Sequence, residues 1–592
     1  MKISHRYNYA ITGNCNYLAY VKDDSSLEWM CWPSMDSSFV FGGILDEEKG
    51  GEFQVIPLTP FTSTQRYIEN TGIIITSFIC EDGEFDVIDF APRFSLHDRF
   101  HKPLQFFRKI KCLKGHPKIQ VICDPRGHYG ESLPETHIGS NHISYSNLHL
   151  PLRLTTNASK AYLVEKRPFS LMEDLYLVLS GGEPFEAPLK ETFEEFYYKT
   201  TTYWRKWVKE TFTPTMFQKE IIRSAITIKL HQFEDTGAII ASGTTSLPEY
   251  PGSGRNWDYR YCWLRDSYFS LAALNSLGHF EEAERYLNFV QNILIDIKTL
   301  QPMYKINGEA YIPESEVNLA GYLNNKPVRI GNAAYTQKQF DGYGQVILSL
   351  LPLYTDERIV HRYHKMDLQP IYKLLDEISY FMDEPDAGTW ELRGRKEKHL
   401  GTYIFHWAGA KASIKIARHY GDNELLAIAE RVLNLSVENI EKCYSFEHEC
   451  FMADQTLSHF DATGFLLITM NYLDPQGERT RKYFHKLQSE LLTPEGMIYR
   501  YRAPDDFGDT HATFLICTYW YIESLICLGY LKEAEDGLKN IISHGNHVGL
   551  LSEDLSSEDG GQWGNFPQTY SHVGLINAVC RLARKKDLMV FE

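Results

Sequence analysis

From residue 1 to about 180 the apolar positions come in short runs rich in Val, Ile, Phe and Tyr, broken by Gly, Pro, Asp and Asn at strand-length intervals. The runs YLAYVK and LEWMCW flank Asp23-Asp24-Ser25-Ser26, and IIITSFIC and EFDVIDF flank Glu81-Asp82-Gly83, so each set predicts a hairpin. Further strands are expected at LQFFRKIKCL, PKIQVICD, HISYSNLHLPLRLT, KAYLVEKR and DLYLVLS. Consecutive strands with no helical period between them predict an N-terminal antiparallel β-sandwich over residues 1–185.

The period then changes. PLKETFEEFYYKTTTYWRKWVKE, within residues 186–212, has helical spacing with acids early and bases late, and predicts a linker helix whose aromatic stripe serves packing. From 213 to 592 the pattern is of repeated helices, expected at about 214–233, 265–277, 279–298, 331–354, 367–384, 401–420, 422–445, 460–471, 476–493, 511–528, 530–544 and 567–585. NSLGHFEEAERYL, RHYGDNELLAIAE and CLGYLKEAEDG predict tight turns between paired helices. Six such hairpins can stack as an open array or close into a ring, and the pattern alone leaves that choice open.

Composition narrows the partners. The chain of 592 residues is 43% hydrophobic and 23% charged, with no 18-residue apolar run, which is the make-up of a soluble globular protein of more than one domain. Its formal charge of −17 disfavours nucleic acid or an anionic membrane as the main partner and suits a neutral ligand. MKISHRYNYA lacks the apolar core of a secretory leader, and the 11 cysteines include no CxxC pair, so a cytoplasmic location with reduced thiols is expected. Cys443 and Cys450 bracket Glu447, His448 and Glu449 with a spacing that fits no zinc pattern. No metal and no cofactor are expected. HExxH, a Walker loop and GxSxG are absent, and Gly252-Ser253-Gly254 lacks the third glycine of a dinucleotide loop. Self-association is compatible with all of this.

The long inter-helical loops, about 234–264, 299–330, 385–400, 494–510 and 545–566, hold the candidate chemistry. Arg255-Asn256-Trp257-Asp258-Tyr259-Arg260-Tyr261-Cys262-Trp263-Leu264-Arg265-Asp266 interleaves flat aromatic faces with hydrogen-bonding forks, the mixture that a sugar ring edged by hydroxyls requires. Acetal hydrolysis needs one carboxylic acid for the leaving oxygen and, with inversion, a second carboxylate to activate water. Asp258, Asp266, Glu309, Glu314, Glu316, Glu391, Asp509, Glu553 and Asp554 all lie in motif-bearing loops, and pattern alone does not choose among them. Glu391 follows Trp390, and an apolar neighbour would favour its protonated form.

The string RNWDYRYCWLRD closely resembles the signature of glycoside hydrolase family 15, which holds glucoamylases, glucodextranases and a group of trehalases. The resemblance extends to YAITGNCNYLAYVKDDSSLEWMCWPSMDSSFVFGGIL near the start, to NLAGYLNNKPVRIGNAAYTQKQFDGYG and TWELRGRKEKHLGTYIFHWA in the middle, and to LLSEDLSSEDGGQWGNFPQTYSHVGLIN near the end. It implies a β-sandwich followed by an (α/α)6 barrel over 213–592. It further implies Glu391, in GTWELRG, as general acid, Glu553, in LLSED, as general base, and Arg265 and Asp266 as the clamp on a terminal glucose. Trp257, Asp258, Arg329 and Trp390 are further substrate-binding candidates. The activity implied is inverting, exo-acting release of β-glucose, with glucoamylase-like action on α-glucans or malto-oligosaccharides as the leading expectation. The alternatives are a trehalase of the same family, a disaccharide phosphorylase and a non-catalytic sugar-binding protein. Two segments depart from the family pattern: Gly508-Asp509-Thr510-His511-Ala512-Thr513-Phe514 stands where many members have GEEGTF, and HLGTYIFHW where they have HTHSKVMCW. The first puts in doubt any role for those acids in the outer subsites.

Overall fold

A computed structural model describes residues 4–181, 185, 187–296, 299–359 and 367–587. The N-terminal part is two antiparallel sheets packed face to face. One sheet runs Tyr9–Gly13, Leu18–Lys22, Leu27–Cys31, Glu52–Pro57, Lys118–Asp124 and Phe169–Ser170, with Phe39–Phe41 also on Leu27–Cys31. The other runs Glu135–Ile138, His142–Ser146, Leu152–Thr156, Leu175–Gly181, Gln105–Gly115, Gly83–Phe90, Ile74–Cys80 and Phe61–Tyr67. Both predicted hairpins form, with Val21 opposite Leu27 in one and Cys80 opposite Gly83 in the other. KAYLVEKR is not a strand: Lys160–Val164 is one short helix that turns Leu163 into the sandwich core and leaves Tyr162 and Val164 exposed.

The opening strands are buried on both faces, and their period of two divides them between two cores. Ala10, Ala19, Val21 and Met30 point into the sandwich, whereas Tyr9, Ile11, Leu18, Tyr20 and Trp29 belong to the core of the helical region. The helix Leu189–Lys209 bridges the same two bodies, with Phe193 against the second sheet and Trp204, Trp207 and Val208 in the helical core.

Twelve helices follow: α1 (Gln218–His231), α2 (Ser267–Ser276), α3 (Phe280–Asp296), α4 (Asp341–Thr355), α5 (Gln369–Phe381), α6 (Leu400–Tyr420), α7 (Asn423–Lys442), α8 (Leu466–Thr469), α9 (Glu478–Leu491), α10 (Leu515–Leu528), α11 (Leu531–Ser543) and α12 (Thr569–Lys585). The even-numbered helices pack in sequence, α2 on α4, α4 on α6, and so on to α12, and α12 returns to α2, so the ring closes as an (α/α)6 barrel. The odd-numbered helices form the outer layer. Sequence explains the division: α10, LICTYWYIESLICL, is buried on nearly all sides, whereas α11, LKEAEDGLKNIIS, buries a single stripe of Ala534, Leu538 and Ile541.

Two predicted helices are shorter than their patterns. α4 starts at Asp341, because Asn332 caps a separate 3-10 turn, Ala333–Thr336. Over 460–471 a 3-10 turn capped by Asp461 leads into only one α-turn, which stops before Asn471 enters the left-handed region.

Each inner helix is entered through a long connection, and α2, α4, α6, α8 and α10 are left through a shorter one. All five long loops therefore gather at the N-terminal ends of the inner helices, where backbone N–H groups and the helix dipoles favour negative charge.

Candidate active site

The RNWDYRYCWLRD segment is laid across this end as two short strands. Asn256–Asp258 pairs with Thr245–Pro248, and Cys262–Trp263 pairs with Met303–Tyr304. Strand alternation sorts the side chains. Asn256 and Asp258 turn inward and Trp257 turns out. Asp258 is buried in an ion pair with Arg260 at 2.7 Å and accepts the Gly331 N–H at 3.0 Å, while Arg260 donates to the Ser37 carbonyl and the Tyr129 hydroxyl of the β region. Asp258 therefore anchors the motif to the sandwich and lines neither cavity described below, which places it apart from the substrate-binding candidates.

Two adjoining cavities share Tyr259, Trp390, Glu391 and Arg500 as a common wall. The inner one is further lined by Trp263, Arg265, Asp266, Trp520, Glu553 and Tyr570. The outer one is bounded by Glu249, Arg255, Trp257, Arg393, Asp505, Asp506 and Phe507 among others. Of the residues singled out from sequence, Glu391, Glu553, Arg265, Asp266 and Trp390 thus meet at one cavity and Trp257 walls the next. Arg329 is one layer back: it donates to the Gly254 and Asn256 carbonyls, and its guanidinium lies 4.8 Å from the Trp257 ring, so it supports that wall from behind.

Glu391 stands at the junction, on the tight turn that follows Gly388, and it holds a left-handed backbone (φ 60°) that few non-glycine residues adopt. Its Oε1 accepts the Trp263 indole N–H at 2.7 Å and the Arg265 guanidinium at 2.9 Å. The indole that meets this carboxylate is thus Trp263, not its chain neighbour; Trp390 instead donates to Asp461 Oδ2 at 2.7 Å. With both donors on Oε1, Oε2 is the oxygen on which a proton can sit. Arg265 also donates to the Thr389 carbonyl at 2.8 Å and lies 3.4 Å from Asp266. Burial, with Glu391 as a like charge, pushes Asp266 up to about 6 against the pull of Arg265.

Glu553 faces the inner cavity only and is 1% exposed. Tyr259 donates to its Oε1 at 2.7 Å and the Asn565 N–H to its Oε2 at 3.2 Å. Burial and the neighbouring Glu249 push it up to about 7, opposed by Arg500 and the Tyr259 hydrogen bond. The chain that returns past it turns at Gly564 (φ +73°), where a Cβ would lie 2.6 Å from that of Glu553, so only glycine lets it pass. The Tyr259 and Trp263 rings are in edge contact, centroids 5.2 Å apart, so the two carboxylates hang from one aromatic pair supplied by the opening motif. That pairing, along with Arg500 and Glu249, was not singled out from sequence; the motif contains the two rings, but nothing local marks Glu249 or Arg500.

The remaining acids lie elsewhere. Glu309 pairs with Lys305 in solvent, Glu314 holds Arg393 through two hydrogen bonds of 3.0 and 2.7 Å, and Glu316 is an exposed strand residue opposite Arg329. Asp554 is fully buried behind Glu553. Just ahead of the segment that departs from the GEEGTF pattern, Asp505 and Asp506 face the outer cavity, and Asp509 within the segment does not line it. Asp505 accepts from both terminal nitrogens of Arg255, and Asp506 accepts the Arg393 and Gly394 N–H groups. Among the described residues no His, Cys, Asp and Glu group has the arrangement of a metal site, and no helix is long and apolar enough to cross a membrane.

An inner ring closed on itself, with two carboxylates lining one cavity at its loop-bearing end, is a glycoside hydrolase architecture. The sequence profile of glycosyl hydrolases family 15 matches residues 216–543, a profile described as trehalase-like, N-terminal, matches 6–158, and the chain belongs to glycoside hydrolase family 15. It is 29% identical to a trehalase of Thermoplasma acidophilum over 94% of this chain and 96% of that one, and 29% identical to a trehalase of Mycobacterium tuberculosis over 98% and 90%. Its fold is that of a bacterial glucoamylase solved with acarbose, with a TM-score of 0.71 and 15% identity, covering 98% of this chain and 94% of that one.

Proposed function

We propose that the chain hydrolyses trehalose with inversion, Glu391 acting as general acid and Glu553 as general base. This replaces glucoamylase-like action on malto-oligosaccharides as the leading reading. The observation that carries it is full-length similarity to trehalases, in the N-terminal region as well as the barrel. The two cavities support it: they adjoin at Glu391 and both are lined by many hydrogen-bonding groups, which suits two glucose units joined at that wall.

The arrangement of the acids fits an inverting path. Glu391, on the shared wall, is where the oxygen linking the two sugars would lie, and its proton passes to that oxygen as the bond breaks. Glu553, reached only from the inner cavity, takes a proton from a water that attacks the inner sugar's anomeric carbon. Tyr259 and the Asn565 N–H orient this carboxylate, and Arg265 and Asp266 supply a donor and an acceptor for the hydroxyls of the inner sugar. Separation of the carboxyl groups by roughly 6.5–9.5 Å is what this path requires.

The test is a panel of trehalose, maltose, isomaltose and dextrin, with products followed by proton NMR. Trehalose alone should be cleaved efficiently, giving one β-glucose from the inner unit and one α-glucose from the outer. Faster cleavage of maltose or dextrin would overturn the trehalase reading, and release of α-glucose alone would overturn inversion.

A further inference from the structure

Glu249 takes no part in the path just described, yet it joins the outer wall to the base. It follows the strand Thr245–Pro248 and is 3% exposed. Its Oε1 accepts the Trp257 indole N–H at 3.0 Å, and its Oε2 is 2.8 Å from an Arg500 terminal nitrogen. Arg500 lines both cavities and reaches to 3.9 Å from Asp554, next in the chain to Glu553. The backbone repeats the connection, since the Pro248 carbonyl accepts the N–H of Gly564, the residue that packs directly on Glu553.

We propose that Glu249 is a positioning residue that shares Arg500 with the base and is itself held by Trp257, tying the wall of the outer compartment to the charge state of Glu553. The proposal rests on Glu553 being the base of trehalose hydrolysis. The physical ground is competition for one cation in a dry site. Around Glu553 stand Arg500, Tyr259, Tyr7, Asp554 and Glu249, and behind them Arg255 is committed to Asp505. Arg500 lines the inner cavity together with Glu553 and lowers that carboxyl's proton affinity, while its ion pairs go to Glu249 at 2.8 Å and to Asp554 at 3.9 Å, so Glu249 takes the closer hold on it. A carboxylate that draws Arg500 away, and repels Glu553 besides, holds the base in its protonated form to higher pH. A sugar packed on Trp257 changes the hold on Glu249 and hence the share of Arg500 left for the base.

Two variants separate this role from a merely structural one, with kcat/KM for trehalose measured across pH. Glu249→Gln keeps the volume and an acceptor for Trp257 but removes the charge. The acidic limb should move down by about one pH unit, so that activity one unit below the wild-type limb rises about fivefold relative to the plateau. Trp257→Phe keeps a ring in the wall but frees Oε1, so Glu249 grips Arg500 harder and the limb should move the other way. A limb that stays in place in either variant overturns the proposal, whatever the loss in rate. Should Glu249→Gln fail to fold, Trp257→Phe alone decides. Failure of the underlying reading is a different result: turnover of trehalose that survives Glu553→Gln, or no turnover by the unsubstituted chain.

Discussion

Arg265 faces three carboxylates, Glu391 at 2.9 Å, Asp266 at 3.4 Å and the buried Asp341, whose proton affinity it lowers from a distance. Replacing it by alanine removes the cation but leaves the acids in place. Breaking a buried pair from one side costs about 3–5 kcal/mol. The cost here must depend on pH. Burial already pushes Asp266 up to about 6 from an ordinary 3.8, and loss of Arg265, which opposes that push, raises it further. A carboxyl whose folded-state value lies above its unfolded one binds a proton on folding, so its contribution to stability falls as pH rises through that interval. Arg265→Ala should therefore be most destabilised near pH 8, where the acids must ionise unpaired, and least near pH 5, where Asp266 is neutral in the fold. Urea unfolding of both proteins at pH 5, 6.5 and 8, followed by tryptophan fluorescence, measures the difference; the deficit at pH 5 should be about half that at pH 8. A deficit that is the same at all three values, or larger at pH 5, would refute the electrostatic argument and leave Arg265 a packing residue.

Further predictions concern the reaction itself. Glu391→Gln cannot supply a proton and should lose about 10²–10⁴ in kcat with trehalose binding preserved, as read by calorimetry; unchanged turnover would remove Glu391 from the mechanism. As the proposed base Glu553 must be ionised to act, and burial pushes it up to about 7, so kcat/KM should fall as pH drops below about 7, a profile measured directly by stopped assays. Tyr259→Phe removes a 2.7 Å hydrogen bond to the ionised form, worth about 1.5–3 kcal/mol, and should shift that acidic limb upward by about one to two pH units. Arg393→Ala, which strips the outer wall of a guanidinium 4.4 Å from the Trp257 ring, should raise KM more than it lowers kcat in steady-state assays.

The helical half was legible because its period is strong: all twelve expected helices are present, and their alternation between apolar and one-sided patterns matches inner and outer positions. Closure of the ring was not, since contact between α12 and α2 joins segments some 300 residues apart and leaves no local trace. Within the site, Trp257 and Asp258 adjoin in sequence yet part company in space, because a strand turns successive side chains to opposite faces. The loop did not read as strand, so that parting was hidden. Glu249 and Arg500 were hidden for a different reason. Each is an ordinary loop residue until the chain brings positions 249, 500 and 553 together, and their meaning lies wholly in that encounter.

The first strand touches the chemistry at one remove. Tyr7 donates to the Gly564 carbonyl, Asn546 donates to the Tyr7 and Tyr9 carbonyls, and His5 stacks on Trp563, so the loop bearing Glu553 is moored to the beginning of the chain. The opening residues work like the keel of a hull: trimming them would leave the barrel's helices intact in sequence while unshipping the loop that carries Glu553.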